Sequence, residues 1–311
     1  MMLCFLPGPV KGIISVIIYF FNTLGCACLL YPVALIKLII PHHRVRRWCN
    51  ILLDKLGGYW ISVNSWNIHL TKNIRWHVTG TDILDNHDWY LVIANHQSWV
   101  DILVLQYIFN RKIPFLKFFL KKELIWVPIL GLAWWALDFP FMKRYARSLI
   151  EKKPHLKGKD IEITRRACQK FKDKPVSVMN FVEGTRFTKT KHRTQSSPYN
   201  HLLRPKSGGI AFVLAAMGDY IQNILNVTIV YPNTKKSFWQ FVCGDVTDII
   251  VSVEVLPVYD DLIGDYFDDP EFKKTFQDSV NTLWAQKDKK IEMLYNEWEV
   301  LFGEMHKLNS N

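Results

Sequence analysis

His96 and Asp101 stand five residues apart in "ANHQSWVD" (94–101), directly after the apolar run "WYLVI". A carboxylate on one ring nitrogen fixes an imidazole's tautomer, stabilises the imidazolium and leaves the second nitrogen as a general base. Five residues is the wrong step for two side chains to meet on one helix face, where neighbours fall three or four apart. They meet only across a turn. A strand ending at Asn95 and a helix beginning near Ser98, with that serine as N-cap, brings Asp101 back to the ring. A merely structural hydrogen-bonded pair carries the same signature, so a second element has to decide.

That element is "NFVEGTRFT" (180–188), an apolar strand opening into Glu183, Gly184, Thr185 and Arg186. Gly184 permits an unusual backbone angle and close ligand approach. Arg186 offers a planar fork of donors suited to phosphate. Alone, the stretch equally describes a turn with a solvated ion pair.

The elements that must position these residues alternate along the chain. Strands are predicted over 74–78, 89–94, 176–181, 225–232 and 249–258, with helices after Asp101, over 160–172 and over 208–218. The alternation predicts an α/β layered fold, a largely parallel sheet flanked by helices. From Pro270 onward, Phe272, Phe276, Val280, Leu283, Ile291, Leu294, Trp298 and Leu301 form a helical apolar stripe. Segment 124–142 is strongly aromatic, and Pro128 and Gly131 argue against a regular span. It is expected to form a surface that dips into a membrane's headgroup region.

Residues 12–36 carry no charge, and as one helix they would be roughly 37 Å long. They predict a membrane anchor, either a tilted span or, through Pro32 and the Asn22-Thr23 pair, a re-entrant helical hairpin in one leaflet. Lys37, Arg44, Arg46 and Arg47 follow the segment against Lys11 before it, so the positive-inside rule puts everything after residue 41 in the cytoplasm. The expected organisation is an anchor over 1–41, an interfacial linker helix over 42–73, an α/β domain over 74–260 and a C-terminal helical segment over 261–311.

The net charge of +11 suits anionic lipid surfaces or phosphorylated substrates. Nucleic acid is not an expected partner, because no zinc spacing, basic zipper or RNA-recognition aromatic motif is present. The six cysteines show no paired metal spacing, and no metal or redox cofactor is expected. A G-x-S-x-G serine elbow is also missing, so no serine nucleophile is expected.

Together the two motifs resemble the glycerolipid acyltransferase family, the PlsC-type 1-acylglycerol-3-phosphate acyltransferases, marked by Asn-His-x4-Asp and, later, Phe-Pro-Glu-Gly-Thr-Arg. Asn95, His96 and Asp101 match the first motif; Phe181, Glu183, Gly184, Thr185 and Arg186 match the second, with Val182 in place of the proline. An intermediate Gly-x-x-Phe-x-x-Arg motif is matched by "DFPFMKR", which keeps Phe141 and Arg144 and has Asp138 where the family has glycine. "VTIVYP", with Pro232, resembles the last motif. The likeness covers about 74–260, and Val182 with the insertion "KTKHRTQSSPYNHLLRPKSGG" resembles a branch that holds a bacterial paralogue and the longer eukaryotic lysophosphatidic and lysocardiolipin acyltransferases.

The resemblance implies a layered glycerolipid acyltransferase fold and a membrane-bound enzyme. A fatty acyl group would move from acyl-CoA or acyl carrier protein to the free hydroxyl of lysophosphatidic acid, with His96 as general base and Asp101 behind it. Glu183, Gly184, Thr185 and Arg186, with Arg144 and Lys143 nearby, would hold the acceptor's glycerol phosphate, and Lys206 would add a further phosphate contact. Membrane phospholipids are the surrounding partners, and the expected place is a bacterial inner membrane with the catalytic domain on the cytoplasmic side. Another lysophospholipid acceptor, a catalytically silent phospholipid-binding protein and a thioester hydrolase are the competing readings.

Overall fold

A computed structural model describes residues 3, 5–142, 174–233, 236–266 and 268–308. The charged helix expected over 160–172 lies outside them, as do Lys143 and Arg144.

Among the described residues the strands are β1 (Arg75–Thr79), β2 (Tyr90–Ala94), β3 (Leu116–Phe118), β4 (Leu120–Lys121), β5 (Phe141–Met142), β6 (Ser177–Phe181), β7 (Asn223–Val230) and β8 (Asp248–Pro257). β4 and β5 pair with each other, and the other six make one sheet in the order β1-β8-β7-β2-β6-β3. β7, β2, β6 and β3 run parallel; β8 turns antiparallel to β7, and β1 pairs parallel with β8. The predicted, largely parallel α/β sheet is present.

Every residue of β2 is buried, as expected of a central parallel strand covered on both faces. Tyr90, Val92 and Ala94 point into one core, together with α3 (Val100–Phe109). Leu91 and Ile93 point into the other, together with the helix Gly208–Met217 and the long C-terminal helix Pro270–Leu308. The period-two alternation of side chains thus splits one apolar run between two cores.

The N-terminal segment is a single helix, α1 (Gly8–Ile39), followed by α2 (His43–Thr71). Asn22 and Thr23 do not break it. Thr23 Oγ1 donates back to Tyr19 O at 2.7 Å, and Asn22 Nδ2 donates across to Trp60 O at 3.0 Å and Asn64 Oδ1 at 2.8 Å. The two polar residues therefore tie α1 to α2, and the break that would make a hairpin within 12–36 is not present, since Pro32 too lies inside α1. α1 also lies along the sheet domain. A Cβ on Gly12 would come within 2.8 Å of Cys243 Sγ, Tyr31 Oη donates to Ile129 O at 2.7 Å, and Lys37 pairs with Asp138 at 2.5 Å. On its outer face Ile13, Phe20, Phe21, Leu29, Leu38 and Ile39 are exposed. Among the described residues α1 is the one helix long and apolar enough to cross a membrane by length and composition.

The aromatic segment after β4 is part core and part surface. Its helix α4 (Leu130–Ala136) places Ala133 in the core, whereas Trp126 is 85% exposed. The other α-helices among the described residues are α5 (Lys189–Thr194), α6 (Gly208–Met217), α7 (Phe238–Cys243) and α8 (Pro270–Leu308).

Candidate active site

The two motifs leave the carboxyl ends of adjacent parallel strands. Ala94 and Phe181 are register partners at the ends of β2 and β6, so the loops that follow emerge side by side, where open α/β sheets bind their ligands. Asn95 prolongs β2's pairing with its side chain. Its Nδ2 donates to Ile229 O at 2.9 Å, and its Oδ1 accepts from Ile229 N at 2.9 Å.

His96 then turns inward, 9% exposed, and its Nδ1 lies 2.8 Å from Asp101 Oδ2. The turn predicted from the spacing forms, with the helix starting two residues later than expected. α3 begins at Val100, and Ser98 Oγ accepts from the Val100 N–H at 3.1 Å. Asp101 is fully buried and saturated with donors. Oδ2 also accepts from Gln97 N at 2.6 Å and Ser98 N at 2.8 Å, while Oδ1 accepts from the Tyr231 hydroxyl at 2.6 Å. An acceptor-only carboxylate on Nδ1 makes that nitrogen the N–H donor and leaves Nε2 with a lone pair. The Phe181 ring stacks on the imidazole at 3.9 Å and 13°, fixing its plane.

Glu183 sits behind this pair with no exposed surface. Oε1 accepts from the His96 N–H at 2.9 Å and Oε2 from the Leu203 N–H at 3.1 Å, so one carboxylate clamps the histidine's backbone to the inserted loop. Burial pushes its pKa up to about 8, against the pull of the two N–H donors. Val182, where the family pattern has proline, donates its N–H towards Ala94 O at 3.4 Å, a bond that proline lacks. Gly184 has φ +67, and the Lys191 ammonium pins the next residues by donating to Thr185 Oγ1 at 2.7 Å and Arg186 O at 3.1 Å. The exposed Arg186 guanidinium lies over the Trp99 ring at 4.6 Å.

His96, Gly184, Thr185 and Arg186 share the wall of a cavity of about 540 Å³. Its other walls are mostly apolar, with Ala27 and Leu30 from α1, Leu103 from α3, Trp134 from α4, and Phe115 and Phe139, interrupted by Thr23, Gln106, Lys121 and Asn180. Glu183 and Lys206 are not among its lining residues; Lys206 is exposed, and its backbone N–H closes on Val182 O at 2.8 Å. Sequence spacing did not reveal Tyr231 or Gln97, because both reach Asp101 through strand order or backbone amides.

Asp138, standing where the family motif has glycine, has φ +58. That is the left-handed region, which glycine enters freely and Asp tolerates better than most residues.

Known acyltransferases resemble this chain in sequence and in fold. Human 1-acyl-sn-glycerol-3-phosphate acyltransferase gamma is 23% identical over 230 residues, 70% of this chain and 56% of that protein. The Arabidopsis thaliana 1-acyl-sn-glycerol-3-phosphate acyltransferase 3 is 26% identical over 161 residues, 47% of this chain and 39% of that one. The chain thus spans about half the length of the curated relatives it matches, or less. The crystal structure of the 1-acyl-sn-glycerophosphate acyltransferase PlsC from Thermotoga maritima superposes with a TM-score of 0.50 at 16% identity, covering 92% of this chain and 97% of that one, which establishes the shared fold. The Acyltransferase family model matches residues 75–231, from the first strand of the sheet to the tyrosine that holds Asp101, and the chain belongs to that family.

Proposed function

We propose that the protein moves a fatty acyl group from an acyl thioester to the free glycerol hydroxyl of lysophosphatidic acid, giving phosphatidic acid. The observation that carries this reading is His96, with Nδ1 held by Asp101, at the wall of an apolar cavity it shares with Arg186. His96 Nε2 takes the proton of the acceptor hydroxyl as its oxygen bonds to the thioester carbonyl carbon. The carbon–sulfur bond then breaks, and the imidazolium returns the proton to the departing thiolate. The acyl chain occupies the apolar cavity, and Arg186, stacked on Trp99, holds the acceptor's phosphate through its planar fork. Glu183 serves by positioning His96, since both its oxygens are committed to backbone amides.

The exposed apolar face of α1, and α1's contacts along the sheet domain, support an unbroken α1 held in one leaflet. The basic residues that follow α1 support a catalytic face on the cytoplasmic side of its membrane.

Thiol release from oleoyl-CoA by the detergent-purified protein, with and without 1-acylglycerol-3-phosphate, tests the reading when products are resolved by mass spectrometry. Acceptor-dependent release with phosphatidic acid as product is expected. Free fatty acid released without acceptor would make the protein a hydrolase, and a different lysophospholipid turned over in its place would reassign the acceptor.

A further inference from the structure

A second cavity, of about 300 Å³, abuts the first across the motif loops. The two share no lining residue, and the chain crosses between them twice: His96 and Arg186 line the apolar cavity, while their neighbours Gln97 and Phe187 line the second. The Phe187 N–H donates to His96 O at 2.7 Å, so the wall between the cavities is the catalytic loop itself.

The second cavity differs in chemistry. Lys189, His192, Arg193, His201 and Lys236 line it, and among the described residues no aspartate or glutamate does. Two of these groups are committed: His192 Nε2 lies 2.6 Å from Tyr199 O, and His201 Nε2 lies 2.5 Å from Glu292. Lys189 and Arg193 are exposed on α5, and the Lys236 ammonium donates to Gln97 Oε1 at 2.6 Å. Burial pulls the Lys236 pKa below the ordinary lysine value, a cost that a bound anion would offset. A concave wall with three cations and no carboxylate suits a ligand carrying several negative charges.

We infer that this basic cavity holds the phosphate groups of the acyl donor's nucleotide, the phosphorylated adenosine end of a coenzyme A thioester. The inference rests on the acyltransferase reading above. With the acyl chain in the apolar cavity and the thioester carbonyl at His96, the donor's arm crosses the loop at Gln97 and its phosphates meet Lys189, Arg193 and Lys236. The acceptor's phosphate has Arg186 on the other side of that loop. The nucleotide end of coenzyme A brings several phosphate charges to this wall, whereas a carrier protein's arm brings one phosphodiester, so the inference commits to CoA thioesters.

The test uses the full-length double variant Lys189→Ala/Arg193→Ala, both changes being on exposed side chains. Michaelis constants are measured for oleoyl-CoA, for oleoyl-pantetheine, which lacks the nucleotide, and for lysophosphatidic acid. The oleoyl-CoA KM rises by about tenfold with kcat unchanged, corresponding to about 1.4 kcal/mol, while the other two constants hold. A rise confined to lysophosphatidic acid would reassign the cavity to the acceptor, and no change in any constant, or equal rises for both donors, would overturn the nucleotide site. Equilibrium binding of adenosine 3′,5′-bisphosphate to wild type and variant separates this inference from the reading beneath it. Binding that weakens in the variant upholds the site even if no acyl transfer is found, and a wild type that does not bind it removes the site.

Discussion

The Tyr231 hydroxyl, one residue past β7, donates to Asp101 Oδ1 at 2.6 Å, and both residues are buried. Together with the 2.8 Å contact of Oδ2 with His96 Nδ1, it makes a three-residue line across β7, β2 and the start of α3. Tyr231→Phe removes one donor and leaves a buried carboxylate oxygen unsatisfied. It should cost about 1–3 kcal/mol of stability and, by loosening the imidazole, lower kcat about tenfold with little change in KM. Thermal unfolding and steady-state kinetics check both parts. An unchanged kcat would mean that the three amide and ring donors on Oδ2 orient Asp101 unaided.

Glu183 gives a pH signature. Its pKa in the fold is about 8 against an ordinary 4.5, so the folded chain holds this proton more tightly than the unfolded chain between those values. Its contribution to stability therefore falls as pH rises from 4.5 to 8 and is level above. Glu183→Gln abolishes that titration and sets an amide N–H against a backbone N–H, so the variant is less stable at low pH. The difference in melting temperature between wild type and variant should shrink from pH 5 to pH 8. A constant difference would show that Glu183 is ionised throughout.

Asp138 tests the link between α1 and the cavity wall. Its φ of +58 is strained for a residue with a Cβ, and its carboxylate is held by Lys37. Asp138→Ala loses the ion pair and keeps the strain; Asp138→Gly loses the ion pair and relieves it. The glycine variant should be the more stable of the two by about 1 kcal/mol, measured by denaturant unfolding.

Leu30 lies on α1, is 3% exposed and lines the apolar cavity. A larger side chain there occupies the space assigned to the acyl chain. Leu30→Trp should slow transfer from oleoyl-CoA while sparing decanoyl-CoA, shifting the ratio of their kcat/KM values by about tenfold. Equal losses with both donors would place the acyl chain elsewhere.

The His96–Asp101 pair was legible because a five-residue step permits contact only across a turn, and β2 and α3 bracket that turn. Tyr231 was not legible. It stands 130 residues after Asp101 and reaches it only because β7 lies beside β2, an adjacency that a list of strands does not contain. Glu183 read as a ligand-facing group for a similar reason: the amide that buries it belongs to Leu203, in an insertion whose path is set by its docking on α8. There Asp288 accepts from the Asn200 and His201 amides at 2.8 Å, and Trp284 Nε1 donates to Leu203 O at 3.1 Å. Asn22 and Thr23 left a broken helix open as an alternative because their partners on α2 are about forty residues away. In each case short-range spacing was informative, and the missing information was which distant backbone lay alongside.

The central claim is that His96 is the general base of acyl transfer, and acceptor-dependent thiol release by His96→Ala beside wild type tests it most directly. A fall of about 10³-fold in kcat, with the melting temperature held within a few degrees, is the predicted result. Turnover within about tenfold of wild type in a folded His96→Ala protein would contradict it.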